Sequence, residues 1–270
     1  MKTQLTTRRL ALTGLVLAAF GFGMSAAHAD QLDTIMAAKK IRVAIDLGVP
    51  PYGMKDDKMQ SIGSDVETAQ LLAKDLGLQL EIVPTTGTNR IPFLETGKCD
   101  VVISTLSVTP DRAKVIDFSV PYASILSVVG APKSMEIKGP ADLAGKKVVA
   151  TRGTTNDQFL TKIAPPGTQI IRFDDDATSI TALVSNQADI FATAPPLLKA
   201  INDKNPAKQM EVKFVMSTAM LAVGVHKGEP KLLEKVDAWV RANLKNGKLD
   251  AIYRKYQGTG LPPDVLKNGA

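Results

Sequence analysis

Short apolar runs alternate with amphipathic segments along most of the chain after residue 40. Residues 41–45 (IRVAI) are rich in β-branched side chains, which predicts a strand. In residues 64–76 apolar side chains recur at helical spacing, Ser64 and Glu67 form a capping box, and Gly77 follows as a helix stop. A chain that alternates strands and helices predicts a mainly parallel sheet covered by helices.

The same alternation continues to the end of the chain. Further strands are predicted at residues 80–83, 101–105, 125–130, 147–151, 169–173, 189–193 and 221–225. Further helices are predicted around Ile91 and Leu94, from Thr154 and Thr155 onward, at residues 178–186, at residues 232–244, and around Leu249, Ile252 and Tyr253.

A break at residues 131–133 divides the chain into two β-α-β units, and the second is too small to be a typical independent domain. We therefore expect residues 30–130 and 217–270 to form lobe 1, and residues 131–216 to form an inserted lobe 2. The chain would cross between the lobes near residues 130–133 and 214–220, and these crossings would form a hinge.

The first 29 residues have the composition of a cleaved secretory signal peptide. Lys2, Arg8 and Arg9 precede an apolar run over residues 10–24, and the small-residue site at residues 27–29 (AHA) follows. We expect export to the periplasm through the Sec route or, because two arginines precede Leu10, through the twin-arginine route.

Charge and cysteine content exclude several classes of function. Loss of the first 29 residues lowers the formal net charge from +6 to +3, which gives no indication of a nucleic-acid partner. The single cysteine, Cys99, excludes an intramolecular disulfide and a cysteine-rich metal site. No His, Asp and Glu cluster has metal-ligand spacing, so we expect neither a metal nor a cofactor.

Seven short segments, in this order and spacing, resemble the polar amino-acid class of bacterial periplasmic solute-binding proteins, solute-binding protein family 3. They are residues 50–52 (PPY), 89–94 (NRIPFL), 97–105 (GKCDVVIST), 109–113 (TPDRA), 117–122 (DFSVPY), 142–148 (DLAGKKV) and 251–256 (AIYRKY). The resemblance implies an α/β, two-lobed periplasmic binding protein (type II) fold with a two-strand hinge. It also implies a monomer that closes on a small carboxylate-bearing solute and delivers it to the membrane permease of an ABC transporter.

Arg112 is the first candidate for binding the carboxylate. Thr109 can cap a helix that begins at Pro110, which places Arg112 in the first turn. A guanidinium there can bind a carboxylate through two parallel hydrogen bonds, and the resemblance assigns this role to Arg112. The alternative is a surface arginine paired with Asp111 or Asp117.

Hydroxyl side chains from both predicted lobes can complete the carboxylate site. Ser104, Thr105 and Ser107 lie at the carboxyl end of a predicted strand, where open α/β sheets bind ligands. Thr154 and Thr155 open a predicted helix, whose first N–H groups favour an anion. The alternatives are ordinary turn chemistry for the first three residues and simple helix capping for the last two.

Three further ligand-binding candidates point to different ligands. Asp46 follows the first strand and can receive a cationic group, whereas Arg90 can face a second carboxylate, as in acidic-amino-acid binders that share the string NRIP. The resemblance of residues 50–52 (PPY) to the family makes Tyr52 a further ligand-binding candidate. Alternatively, Asp46 braces a loop and Arg90 is solvated.

The sequence departs from the family pattern where the ligand's amine and side chain would bind. Ala194 lies five residues after Asp189, where relatives commonly place an aspartate for the ammonium group, and Val49 and Gly87 occupy the positions of the usual aromatic walls. The ligand is then either a polar or acidic amino acid with another amine site, or an acid without an amine. The acidic run at residues 174–176 is either a replacement anchor or a solvated turn.

Two other functions compete with transport. The same fold supports dehydratases, but His226 is the single histidine after the signal and Cys99 has no nearby histidine, so we predict no catalytic residues. A binding protein of this kind can also report its ligand to a signalling receptor, and the sequence does not separate that role from transport.

Overall fold

A computed structural model describes residues 30–269 of the protein, and the predicted signal peptide lies outside them. The strands are β1 (Lys40–Asp46), β2 (Met54–Lys55), β3 (Ser61–Ile62), β4 (Gln79–Thr85), β5 (Val101–Val102), β6 (Ile116–Phe118), β7 (Ala123–Pro132), β8 (Lys147–Thr151), β9 (Gln169–Phe173), β10 (Ile190–Thr193), β11 (Met210–Leu221) and β12 (Gly224–His226). The α-helices are α1 (Gln31–Ala38), α2 (Ser64–Asp75), α3 (Arg90–Glu95), α4 (Pro110–Ala113), α5 (Thr155–Ile163), α6 (Asp176–Val184), α7 (Pro195–Lys204), α8 (Pro230–Lys245), α9 (Lys248–Gln257) and α10 (Pro263–Leu266).

The first sheet has the strand order β4-β1-β5-β12-β6. Its strand β1 runs parallel to β4 and β5, whereas β12 runs antiparallel to β5 and β6. Val66 and Leu72 of α2 and Val236 and Val240 of α8 pack in the core of this sheet. The C-terminal part of the chain therefore contributes β12 and α8 to this sheet and its core.

The second sheet has the strand order β11-β7-β10-β8-β9. Its strand β8 runs parallel to β9 and β10, whereas β7 runs antiparallel to β10 and β11. Helices α6 and α7 supply Ile180 and Leu197 to one apolar cluster, and α5 supplies Leu160 to another. Each sheet is thus mixed, because the strand that follows a crossing runs against its neighbours: β7 in the second sheet and β12 in the first.

The long strands β7 and β11 pair antiparallel along their whole length and connect the two lobes. Ala123 and Leu221, at one end of the pair, pack in the core of lobe 1. Met210, at the other end, packs in lobe 2. The architecture is the expected α/β, two-lobed class with two connecting strands, and the lobe boundaries at residues 130–131 and 216–217 stay a prediction.

Local structure corrects two expectations from the sequence. The predicted capping role of Ser64 is wrong, because Gly63 is the N-cap of α2 and the Ser64 carbonyl accepts a hydrogen bond from the Thr68 hydroxyl at 2.7 Å. The predicted strand at residues 221–225 is divided between the end of β11 and the start of β12. In the part of the chain that the structure describes, no helix is long and apolar enough to span a bilayer.

Candidate functional site

A narrow cavity lies in the cleft between the two lobes and is partly open to solvent. Lobe 1 contributes the end of β1 and the loop after β5, and lobe 2 contributes the starts of α5 and α6 and the end of β10. Among the sequence-predicted candidates, the residues that line it are Asp46, Arg90, Thr105, Ser107, Thr154 and Thr155. The structure therefore brings together six predicted residues from four separate segments.

Arg112 lies beside this cavity and is buried. As predicted, Thr109 caps α4 and Pro110 begins it, so the Arg112 amide donates to the Thr109 hydroxyl at 3.3 Å. Its Nη1 donates to the Ser107 carbonyl at 2.9 Å, and its Nη2 donates to the Gly153 carbonyl of lobe 2 at 3.1 Å. The alternative of a surface ion pair is wrong, since Asp111 pairs with Lys114 instead.

The Arg112 guanidinium has no carboxylate counter-ion within residues 30–269. Burial, and secondarily the positive charge of Arg90, lower the pKa of Arg112 to about 9. The group stays charged at neutral pH, and a buried charge without an opposite charge is destabilising. An anionic ligand next to Arg112 would supply the missing charge.

Arg90 lies at the first position of α3 and holds the loop after β5. Its Nη1 donates to the carbonyls of Ser104 and Thr105, at 2.6 and 3.1 Å, and to the Thr105 hydroxyl at 3.2 Å. Burial lowers the pKa of Arg90, while Asp46 and Asp176 act in the opposite direction. Arg90 therefore shapes the site from lobe 1, and the alternative of a solvated side chain is wrong because its side chain is buried.

Thr105 has a left-handed backbone with φ of 45°, which is strained for a β-branched residue. The buried carboxylate of Asp65 accepts hydrogen bonds from the Thr105 amide at 2.8 Å and from the Tyr122 hydroxyl at 3.3 Å. Burial raises the pKa of Asp65 to about 7. Sequence reasoning missed Asp65, which lies in the predicted capping box but supports the binding loop.

Ser104 connects this loop to the first strand. Its hydroxyl accepts the Asp46 amide at 2.8 Å, so the hydroxyl orients the end of β1. Ser107 points differently: its Oγ lies 3.4 Å from the Thr155 Oγ1 across the cleft. Of these two predicted serines, only Ser107 lines the cavity.

The start of α5 forms the lobe 2 side of the cavity. Thr154 caps the helix: its hydroxyl accepts the Asp157 amide at 3.2 Å and donates to the Thr151 carbonyl at 2.7 Å. The Thr154 hydroxyl therefore acts as a helix N-cap, which was the alternative to ligand contact. The first N–H groups of α5, from Thr155 and Asn156, have no partner inside the helix and belong to residues that line the cavity.

Two carboxylates line the same cavity, Asp46 from lobe 1 and Asp176 from lobe 2. The Asp46 Oδ1 accepts the Gly48 amide at 2.9 Å, and the Asp176 Oδ1 accepts the Thr151 hydroxyl at 2.6 Å. Burial raises the pKa of Asp46, and raises that of Asp176 to about 6. The expectation of a solvated turn holds for Asp174, which pairs with Arg152, but is wrong for the buried Asp176.

The positions that depart from the family pattern also meet at the cleft. Val49 and Ala194 line the cavity. A side chain at Gly87 would have its Cβ 3.2 Å from the Thr154 Cγ2 and 3.5 Å from the Arg90 Nη2, which leaves little room for an aromatic wall. Tyr52 lies elsewhere, on a smaller cavity that it shares with Asp65 and Tyr122.

The sequence profile of the family described as bacterial extracellular solute-binding proteins, family 3, matches residues 41–259 of this chain. The chain belongs to this family. It is 30% identical over 262 residues to the L-cystine-binding protein TcyJ of Escherichia coli strain K12, which covers 94% of this chain and 97% of that protein. It is 28% identical over 244 residues to the ABC transporter glutamine-binding protein GlnH of Bacillus subtilis, which covers 87% of this chain and 89% of that protein.

A solved structure of an ancestral amino acid-binding protein has the same fold. That protein, described as a precursor of cyclohexadienyl dehydratase, is 35% identical, with a TM-score of 0.76. The match covers 84% of this chain and 99% of that one. Together with the family match, this similarity confirms the resemblance and the two-lobed fold that the sequence indicated.

His226 and Cys99 lie away from the cleft. His226 ends β12, and its Nδ1 lies 2.9 Å from the neighbouring Lys227 carbonyl. Cys99 is fully buried in the lobe 1 core, and burial raises the pKa of its thiol to about 12. Within residues 30–269, no group of three or more His, Cys, Asp or Glu side chains is placed to hold a metal ion.

Proposed function

We propose that this protein is the substrate-binding component of an ABC importer and captures an amino acid by closing its two lobes. The observation that carries the proposal is the buried Arg112 guanidinium, which lies beside the cleft cavity without a counter-ion among the described residues. Relatives named as glutamine-binding and cystine-binding proteins support an amino-acid ligand.

The ligand's carboxylate would lie between Arg112 and the start of α5. Arg112 supplies guanidinium N–H groups, and the amides of Thr155 and Asn156 supply the positive end of a helix. Ser107 and Thr155 add hydroxyl donors from the two sides of the cleft. Because these donors belong to different lobes, an anion that binds all of them favours the closed arrangement.

We also propose that the protein acts as a monomer in the periplasm and hands its ligand to a membrane permease. The predicted signal peptide and the extracellular character of the family support this location. We propose binding rather than catalysis, since the relatives that the chain matches are named as binding proteins. A role in signalling would use the same cleft and differ only in the membrane partner.

A thermal-shift screen tests the proposed function. The protein is refolded to remove carried-over ligand and heated with each proteinogenic L-amino acid, L-cystine, and the matching acids that lack the α-amine. A ligand at a hundredfold excess over its dissociation constant should stabilise the fold by roughly 2.7 kcal/mol. Stabilisation by none of these compounds would contradict the proposal.

A further inference from the structure

The cleft contains an acidic site that is separate from the anion site. Asp46 and Asp176 are buried and line one cavity from opposite lobes. Ala194, at the position where relatives commonly have an aspartate for the ammonium group, carries no charge. We propose that Asp176, together with Asp46, binds the ligand's ammonium group in place of the missing aspartate. This inference rests on the proposed function and identifies the ligand as an α-amino acid rather than a simple acid.

The backbone brings these two carboxylates close together. A Cβ placed on Gly48 would lie 3.3 Å from the Asp46 Oδ1 and 3.6 Å from the Cβ of Ala177, the residue after Asp176. The loop after β1 and the start of α6 are therefore in near contact across the cleft. The negative charge of Asp46 also contributes to raising the pKa of Asp176.

Asp176 keeps one oxygen free for a ligand, whereas Asp46 also accepts a hydrogen bond from the Gly87 backbone. Asp46 and Asp176 each use Oδ1 in a hydrogen bond, to the Gly48 amide and the Thr151 hydroxyl. Their Oδ2 atoms accept no side-chain hydrogen bond from residues 30–269. A carboxylate accepts through both oxygens, so each side chain can receive a further donor.

An unpartnered hydroxyl provides an independent indication of a ligand at this place. The Thr193 Oγ1 is buried and has no hydrogen-bond partner among residues 30–269, and Thr193 lines the same cavity. Buried polar atoms are nearly always paired, because an unpaired one costs desolvation free energy. An ammonium group carries three donors, which matches Asp46, Asp176 and the Thr193 hydroxyl.

The charges of the cleft suit a zwitterion. Arg90 and Arg112 are buried cations, and Asp46 and Asp176 are buried acids. An α-amino acid would add its carboxylate beside Arg112 and its ammonium between the two aspartates. A simple carboxylic acid would leave both aspartates without a cationic ligand group, so it should bind more weakly.

Ala194 allows this arrangement because its small side chain leaves space. It caps α7 without a side-chain hydrogen bond and packs with Leu197 on the lobe 2 side of the cavity. The ammonium anchor would thus move from the end of β10 to the start of α6. Both positions belong to lobe 2, so closure of the cleft still brings the anchor to the ligand.

Calorimetric titration of Asp176→Asn with the α-amino acid that stabilises the parent protein most tests this inference. Asparagine keeps the acceptor for the Thr151 hydroxyl and removes only the charge, so the variant should fold. Its affinity should fall by about tenfold to a hundredfold. The control is Asp174→Asn, which changes an exposed acid in the same turn and should bind within about twofold of the parent.

Each result decides between the two proposals. Unchanged affinity in Asp176→Asn would overturn the ammonium site and leave the proposed function intact. Stabilisation of the parent only by acids that lack the amine would overturn the ammonium site and the amino-acid ligand, and would leave capture of a carboxylate by lobe closure. Stabilisation by neither class of compound would overturn both proposals.

A rescue variant provides a second test. Combining Asp176→Asn with Ala194→Asp returns a carboxylate to the position that relatives commonly use. We expect this double variant to recover at least part of the lost affinity, whereas Ala194→Asn in the same background should not. No recovery with Ala194→Asp would contradict the idea that the anchor has moved within one cavity.

Discussion

The Arg112 guanidinium in lobe 1 donates a hydrogen bond from Nη2 to the Gly153 carbonyl in lobe 2, at 3.1 Å. The same group donates from Nη1 to the Ser107 carbonyl in its own lobe. One of its five N–H donors thus reaches the other lobe, one is used within its own lobe, and the others stay available for a carboxylate. Anion binding and lobe closure are therefore coupled through one side chain.

Replacing Arg112 with Ala should reduce the affinity for the amino acid by about a hundredfold or more. The change removes charge-assisted hydrogen bonds in a buried cleft, each worth about 1.5 to 3 kcal/mol. Titration calorimetry on the refolded variant measures the effect. The matched control is Arg152→Ala, because Arg152 lies in the neighbouring loop but forms an exposed ion pair with Asp174. Equal affinity in Arg112→Ala and the parent would remove Arg112 from the site.

Replacing Gly87 with Val should oppose closure of the lobes. The new Cβ would lie 3.2 Å from the Thr154 Cγ2, and the two added methyl groups would increase the clash. Small-angle X-ray scattering should show that ligand reduces the radius of gyration of the parent more than that of the variant. Gly139→Val is the control, because a Cβ there meets no atom within 4 Å. Ligand-induced compaction of Gly87→Val equal to that of the parent would contradict this account of the closed cleft.

The unliganded protein should lose stability as the pH rises from 5 to 8. Burial raises the pKa of Asp65 to about 7 and that of Asp176 to about 6, so the folded state binds more protons than the unfolded state in this range. Each pKa unit corresponds to about 1.4 kcal/mol, so the total change should be a few kcal/mol. Urea unfolding of refolded protein at several pH values measures it.

Asp65→Asn should flatten this pH dependence. The amide oxygen can still accept the Thr105 N–H, while the ionisable group beside Tyr122, Arg90 and Asp46 is gone. The variant should gain stability relative to the parent at pH 8 and differ less from it at pH 5. An equally steep profile in the variant would show that Asp65 titrates elsewhere in the pH range.

Affinity for the amino acid should fall as the pH decreases below about 6. Protonation of Asp176, which faces Asp46, Arg90 and Asp175, removes the negative charge that the ammonium group needs. Titration calorimetry at pH 7.5 and pH 5 should show a smaller change in Asp176→Asn than in the parent. A parallel loss of affinity in both proteins would place the responsible titration at another group.

Much of the fold follows from local sequence pattern. The strands predicted at residues 147–151 and 169–173 match β8 and β9, and Gly77 follows the end of α2 with φ of 67°. The sequence pattern predicted no helix at α7, which begins at Pro195 and Pro196. Proline is compatible with the first turn of a helix, where its missing N–H has no partner in any case.

The site residues that lie in family motifs could be predicted from the sequence. Residues whose role depends on contacts with segments far away in the sequence could not. Arg112 could be placed in the first turn of α4 because Thr109 and Pro110 precede it directly. Asp176 could not be separated from Asp174 by composition, since only the tertiary structure buries Asp176 beside Thr151 of β8 and leaves Asp174 exposed. The role of Asp65 likewise depends on the Thr105 amide, which is forty residues away.

The most direct test of the carboxylate site compares the best-binding L-amino acid with its α-carboxamide by titration calorimetry. The two compounds have the same side chain and ammonium group, and they differ in the negative charge that Arg112 should bind. We predict that the carboxamide binds the parent protein at least about a hundredfold more weakly, with a much smaller difference in Arg112→Ala. Equal affinity of the parent protein for both compounds would contradict the account.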